Sequence, residues 1–201
     1  MYNLIIEIMK SIKLFVVLVA MALAVSSCGG NRAKSAVADS TRAAVEVSDV
    51  DALLMGKEEL VGKSVAVEAL CIHICSHGAR KIFLMGSNDS KTIRVEASSL
   101  GAFDQKCVNS IVSVKGILRE ERIDEQFLKQ WEAQVATNSD EKHGDSESGC
   151  DTEKRARGET GNSATERIAD FRARIAARKA AEGKEYLSFY YIEAQSYEVL
   201  E

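Results

Sequence analysis

Apolar and polar residues alternate most regularly between residues 64 and 87. A period of two is typical of a β-strand with one buried face, because successive side chains point to opposite sides of the strand. The pattern predicts one strand over Ser64–Cys75, a Gly-containing turn, and a second strand over Lys81–Ser87. Side chains that bind metals or form disulfide bonds occupy every second position at the end of the first strand. These are Cys71, His73, Cys75 and His77.

The same patterns predict three further strands and three helices. The strands cover Thr92–Ala97, Ser110–Arg119 and Tyr186–Leu200. One helix begins after the capping residues 48–51, and a second covers Glu125–Ala133. The third begins at Ser163 with a capping box and runs to Glu182, where a glycine ends it. Between the last two helices, residues 135–162 are rich in charge and poor in apolar residues, which predicts a disordered insertion.

Two short segments of the sequence resemble strands of a known fold. Gly-Lys-Ser-Val-Ala-Val at 62–67 and Val-Ser-Val-Lys-Gly-Ile-Leu at 112–118 are similar to the first and fourth strands of OB-folds. The resemblance covers residues 60–124 and 186–200. It implies a mainly β protein with helices, built as a five-stranded OB-fold-like barrel with a long helical insertion before the last strand. The chain departs from the family in that insertion, and in Ala69 where the first strand usually bends at a glycine.

The first 27 residues have the composition of a targeting segment. Two lysines precede an apolar run of twelve residues, Leu14–Val25, which is shorter than the ~20 residues that span a bilayer. Val-Ser-Ser-Cys at 25–28 resembles the lipobox of bacterial lipoproteins. The resemblance implies cleavage after residue 27 and lipidation of Cys28, with a plain secretory signal as the alternative. Residues 28–47 are predicted to be a flexible tether, and residues 48–201 the folded domain.

Charge limits the partners of the predicted domain. The whole chain has a net charge of −4, and removing residues 1–27 leaves 24 basic and 29 acidic residues. An acidic chain gives no general attraction for nucleic acid. OB-folds nevertheless bind single strands on their second and third strands, and Lys81, Phe83 and Arg94 are the candidates there. No nucleophile–base pair, phosphate loop or carboxylate pair is evident, so we do not expect an enzyme.

The cysteines and histidines leave three interpretations open. Cys71 and Cys75 would lie about 13 Å apart on one strand, too far to bond to each other. An OB barrel places the strand of Cys107 beside this one, so the disulfide to consider joins Cys107 to Cys71 or Cys75, while Cys150 in the insertion could reach any partner or none. Alternatively, His73, Cys75 and His77 could bind zinc or copper, and no other cofactor is expected. The third interpretation has the cysteines as small apolar residues and the histidines at the surface.

The direction of the Cys and His side chains depends on where the first strand bends. A bend at Ala69 would turn Leu70, Ile72 and Ile74 inward and leave the Cys and His row facing outward. We expect this arrangement, because burying two imidazoles without partners is costly.

The sequence therefore predicts a non-enzymatic lipoprotein of the bacterial cell envelope, held on a membrane by its lipid anchor. In some lipoproteins of the family that the chain resembles, an acidic run after the cysteine marks surface export. The residues after Cys28 carry no such run, so the resemblance implies a protein that faces the periplasm. Its OB-fold-like domain would bind a protein or a small molecule, and a metal ion in one interpretation. The alternative is a nucleic-acid-binding OB-fold module.

Overall fold

Six strands form the sheet in a computed structural model that describes residues 45–47, 49–76, 78–138 and 150–200. Their bounds are β1 Val45–Glu46, β2 Ser64–Ile74, β3 Lys81–Met85, β4 Thr92–Glu96, β5 Ile111–Asp124 and β6 Tyr186–Leu200. The strand order is β1-β2-β3-β4-β6-β5, and β5 also pairs with β2. Strands β2 to β6 therefore close into a five-stranded barrel, as an OB-fold-like protein requires. The pair β4–β6 is parallel, whereas the other neighbours within the barrel are antiparallel.

Alternation along β2 builds the barrel interior. Val65, Val67, Ala69 and Cys71 are buried in the core, while Glu68 between them is exposed. Inward residues of β3, β4, β5 and β6 complete the same cluster. The hydrophobic period predicted from the sequence thus decides which face of the strand is covered.

A glycine allows β5 and β6 to approach each other closely. The register of this pair shifts between Lys115 and Gly116. A Cβ atom at Gly116 would collide with the backbone carbonyl oxygen of Glu193 and with the Ile192 side chain. A residue without a side chain is therefore required at this irregularity.

Five α-helices accompany the barrel in the described residues. They are α1 Val50–Met55, α2 Lys57–Leu60, α3 Glu125–Asn138, α4 Asp151–Ala156 and α5 Ala164–Glu182. Asp49 caps α1, and its carboxylate accepts a hydrogen bond from the Ala52 amide. The predicted capping box of α5 is present, since the Ser163 hydroxyl accepts a bond from the Glu166 amide and the Glu166 carboxylate accepts one from the Ser163 amide. Gly183 ends this helix in the left-handed conformation.

The ends of β5 and β6 extend beyond the barrel and carry a second, smaller core. Ile123 and Leu187 on these strands pack with Leu128 of α3 and with Ile168, Phe171 and Ile175 of α5. The helices therefore cover an extension of the sheet, and the predicted helical insertion before the last strand is confirmed.

The structure differs from the predictions at three places. Residues 45–46, assigned to the tether, pair in parallel with β2, so the sheet begins before residue 48. The fourth barrel strand runs to Asp124 instead of Arg119. Residues 135–138 belong to α3 and residues 151–156 form α4, so these parts of the insertion are ordered; residues 139–149 lie outside the described part. The signal segment and Cys28 also lie outside it.

The predicted bend at Ala69 is wrong as well. The inward pattern of β2 continues through Ala69 to Cys71, and the irregularity against β3 falls between Cys71 and His73. The pairing of β2 with β3 thus changes register two residues after the predicted bend. Cys71 therefore still faces the core.

Candidate functional site

The outer face of β3 and β4 is covered by the chain itself. Phe83 lies opposite Arg94 in the antiparallel pair, and Arg94 lies opposite Tyr191 of β6. The guanidinium of Arg94 sits 4.8 Å from the centre of the Tyr191 ring. Phe83 is fully buried and Arg94 is only 8% exposed, although both lie outside the barrel core. Helix α4 packs over β4 and contributes to this burial.

Arg94 is the centre of a group of ion pairs that we call the Arg94 cluster, made of Lys81, Arg94, Glu121, Glu153 and Arg157. Nη1 of Arg94 donates to Glu153 at 2.6 Å, and Nη2 donates to Glu121 at 2.9 Å. Arg157 donates to the same Glu121 carboxylate at 2.6 Å, and Lys81 lies 3.1 Å from Glu153. Three cations thus share two carboxylates that come from β5 and α4, and Arg94 also lies 3.3 Å from the Glu96 carboxylate of β4.

Contacts within the Arg94 cluster favour the charged forms of Arg94 and Glu153. Burial acts to raise the pKa of Glu153, but Arg157, Lys81 and Arg94 outweigh it and hold that pKa below the ordinary value. Burial likewise disfavours the charged form of Arg94, yet the carboxylates of Glu121, Glu153 and Glu96 raise its pKa. Arg94 and Glu153 are therefore both charged at neutral pH.

Beside this cluster lies a cleft of about 460 Å³ between the sheet and the helices. Its size is within the range that accommodates a small organic molecule. Five of its lining side chains are cationic and one is a carboxylate. The charged lining residues are Lys57, Arg94, Glu153, Arg155, Arg157 and Arg174, and the rings are Phe83, Phe189 and Tyr190.

Three of the lining cations stand outside the Arg94 cluster. Lys57 Nζ lies 5.3 Å from the centre of the Tyr190 ring, and no carboxylate of the described residues is within ion-pair distance of it. Arg155 pairs with Asp89 at 3.4 Å, but both side chains are more than half exposed, so this pair is weak. Arg174 pairs with Asp170 one helical turn away and donates to the Arg157 carbonyl. Lys57 is therefore the one of these three cations without a carboxylate partner in the described residues, and the pair of Arg155 is exposed and weak.

Two buried polar atoms of cleft-lining residues have no hydrogen-bond partner within the described part of the chain. They are Oγ1 of Thr92 and Nε of Arg94, although Nε is 3.3 Å from a Glu96 oxygen. Buried polar groups are almost always bonded, so a hydroxyl left without a partner beside a cleft is a feature that a ligand could satisfy.

The structure shows where the predicted disulfide cysteines lie. Cys71 and Cys107 are both fully buried in the barrel core, where the Cys71 backbone bonds to Asn109 and Ser110. None of the four cysteines in the described residues is in a disulfide bond. Burial raises the pKa of the Cys71 thiol to about 11 and also raises that of Cys107. A disulfide between Cys107 and Cys71 or Cys75 remains a prediction.

His73 lies against a residue that the sequence did not associate with it. Its Nε2 is 3.1 Å from Sγ of Cys150, the residue that precedes α4. The predicted metal ligand Cys75 is buried at the end of β2, and His77 lies outside the described residues. Among the residues that are described, no three His, Cys, Asp or Glu side chains are grouped so that they could hold a metal ion.

The three nucleic-acid candidates do come together on the outer face. Lys81 and Arg94 both pair with Glu153, and Phe83, opposite Arg94 in the sheet, has no exposed surface. In this arrangement their charges and ring are used within the chain, and a nucleic acid would have to displace α4 to reach them.

Four residues of this region could not be picked out from the sequence. Cys150, Glu153 and Arg157 lie in the segment predicted to be disordered, and Glu121 lies beyond the predicted end of its strand. The three charged residues gave only charge without apolar periodicity, which is also typical of disordered segments. Nothing local specifies a partner for Cys150.

Comparisons with known proteins give no family for the chain: no protein family, curated protein or solved structure matches it. Across the described ranges, each helix is too short or too polar to cross a bilayer.

Proposed function

We propose that this protein is a lipoprotein of the bacterial cell envelope, anchored through Cys28, whose OB-fold-like domain is a non-enzymatic binding module. We further propose that the cleft beside the Arg94 cluster binds a small anionic molecule. The observation that carries the proposal is the set of cations Lys57, Arg155 and Arg174, which line one cleft and stand outside the cluster.

The anchor is supported by the lipobox-like residues 25–28 and the short apolar run before them. Acyl chains contribute about 0.8 kcal/mol per buried CH₂, so two or three chains hold a protein firmly on a membrane. Cys28→Ser should leave an uncleaved or soluble protein after cell fractionation. A cleaved, lipid-labelled Cys28→Ser protein in the membrane fraction would show that the anchor is elsewhere.

An anionic ligand fits the charges of the cleft better than a neutral or cationic one. Lys57 lacks a carboxylate partner in the described residues, and it lies over the Tyr190 ring, which limits where its ammonium can move. The Arg155 pair is exposed and easily exchanged for a ligand. A carboxylate or phosphate group could therefore bind these cations without breaking the more buried pairs of the Arg94 cluster.

The test is a thermal-shift and calorimetric titration of the full-length protein, purified in detergent, with small phosphates and with dicarboxylates. We expect a saturable rise in melting temperature with at least one of the two classes, because a ligand that binds only the native state stabilises it. Lys57→Gln should weaken that binding about tenfold.

Lys179→Gln is the matched control, because Lys179 on α5 forms an exposed pair with Glu185 and does not line the cleft. It should bind as the wild type does. Equal affinities of the wild type and Lys57→Gln, or the absence of saturable binding of either anion class, would overturn the proposed ligand class.

A further inference from the structure

The contact between Cys150 and His73 is independent of the cleft ligand. The two residues are 77 positions apart, and the thiol sulfur lies 3.1 Å from the imidazole Nε2. Both residues are only partly buried, so a small reagent can reach them. An imidazole at hydrogen-bond distance from a thiol is the arrangement in which a base can take the thiol proton.

Contacts with the sheet hold the imidazole of His73 in place. His73 is on β2, and its ring packs against the Phe83 ring with the ring centres 5.8 Å apart. The backbone carbonyl of His73 also accepts a bond of 3.5 Å from the Cys71 thiol. The ring therefore has a fixed neighbour on the sheet and its Nε2 is directed toward Cys150.

Contacts of α4 hold the Cys150 thiol in place. The Cys150 carbonyl accepts a bond of 3.0 Å from the Lys154 amide, which ties the residue to the first turn of α4. Glu153 on the same turn is bound by Lys81, Arg94 and Arg157. The ion pairs of the Arg94 cluster thus fix the start of α4 above the sheet, and with it the position of the sulfur.

The other thiols of the described region are less accessible than Cys150. Cys71 and Cys107 are fully buried in the core, out of reach of solvent reagents. Cys75 is 9% exposed at the end of β2. Cys150 therefore combines an accessible sulfur with an imidazole at hydrogen-bond distance.

We propose that Cys150 is a modification site, a thiol activated by His73 that small peroxides oxidise to a sulfenic acid. His73 Nε2 accepts the thiol proton, and the sulfur attacks one oxygen of the peroxide. The S–O bond forms as the O–O bond breaks, and sulfur loses two electrons to the peroxide. For hydrogen peroxide the leaving hydroxide takes the proton back from the imidazolium, so the products are the sulfenic acid and water.

The test uses the full-length protein and measures each cysteine separately. The protein is treated briefly with hydrogen peroxide, sulfenic acid is trapped with dimedone, and peptides are quantified by mass spectrometry. A parallel sample is alkylated with iodoacetamide. We expect Cys150 to react at least tenfold faster than Cys71, Cys75 or Cys107 in both reactions.

His73→Gln should slow the reactions of Cys150 at least tenfold, because glutamine occupies a similar position but cannot accept the proton. Lys179→Gln is the control: it changes an exposed charge on α5 that neither touches the pair nor lines the cleft, and it should leave the rate unchanged. Circular dichroism of each variant establishes that the fold is retained.

Three outcomes would overturn the proposal. One is a wild-type protein in which Cys150 is not the first of these thiols to react, a result that requires no variant. Another is an equal rate for Cys150 in the wild type and in folded His73→Gln. The third is labelling of Cys150 only after a chelator has been added, which would assign the pair to metal ligation instead.

Discussion

The Glu153 carboxylate accepts a 2.6 Å hydrogen bond from Nη1 of Arg94, 59 residues earlier in the chain. This bond joins α4 to the outer face of β4. Both partners are largely buried, with side-chain exposures of 16% for Glu153 and 8% for Arg94. The bond therefore connects a segment with almost no apolar residues to the folded domain.

Removing the arginine from this pair should strongly destabilise the domain. Arg94→Met leaves the carboxylates of Glu121 and Glu153 partly buried with fewer cations, a change that costs about 3–5 kcal/mol in comparable buried pairs. Urea denaturation followed by circular dichroism measures the loss. Arg155→Met is the control, because its pair with Asp89 is exposed and should contribute less than about 1 kcal/mol. Similar losses in the two variants would contradict the importance assigned to burial.

The same carboxylate should make stability depend on pH in the acidic range. The pKa of Glu153 is lower in the folded protein than its ordinary value of 4.5, so the unfolded chain binds more protons below that pH. The contribution of Glu153 is therefore complete above pH 4.5 and is lost as the pH falls through the lower, folded-state pKa. Urea midpoints between about pH 6 and pH 3 should fall more steeply for the wild type than for Glu153→Gln. Parallel curves would show that Glu153 is not a source of the pH dependence.

The barrel could be predicted because its strands are specified by local patterns. Alternation from Val65 to Cys71 and the apolar positions of β5 identify strands and their inward faces without any knowledge of the partners. The caps of α5 are equally local, since Ser163 and Gly183 act within one turn of the helix ends.

The covered outer face could not be predicted because long-range charge contacts stabilise it. Helix α4 has six residues, too few to be stable alone, and it depends on ion pairs between Glu153 and two strands. The contact of Cys150 with His73 likewise joins residues 77 positions apart. Neither contact leaves a periodic signal, so a charged, ordered segment could not be distinguished from a disordered one.

Gly116 should be essential for the closure of the barrel. A Cβ atom there would overlap the Glu193 carbonyl oxygen, which is backbone and cannot rotate away, so Gly116→Ala should destabilise by about 2–4 kcal/mol. The control is Gly56→Ala between α1 and α2. Its Cβ would meet Leu60 at an ordinary distance of 3.4 Å, and its φ of −91° suits alanine. Thermal melts of both variants measure the difference. A Gly116→Ala protein as stable as Gly56→Ala would contradict the close approach of β5 and β6.

The last prediction concerns Cys107. It distinguishes a core in which the cysteines are reduced from one in which Cys107 forms a disulfide bond. In a Cys28→Ala background four cysteines remain, and the structure has all four without a disulfide bond. We therefore expect four reactive thiols in the denatured protein without reductant, and three after Cys107→Ala. If Cys107 were bonded to Cys71 or Cys75, the denatured parent would show two thiols and Cys107→Ala would show three, because the released partner becomes reactive.

The variant therefore changes the thiol count in opposite directions in the two cases. Stability gives a second measure, since loss of a native disulfide typically costs about 2–5 kcal/mol and reductant would reproduce that loss in the parent. For the reduced core, reductant should leave the urea midpoint of the parent unchanged. Two results together would establish the disulfide. The parent protein would lose stability on reduction, and the thiol count would rise from two in the parent to three in Cys107→Ala.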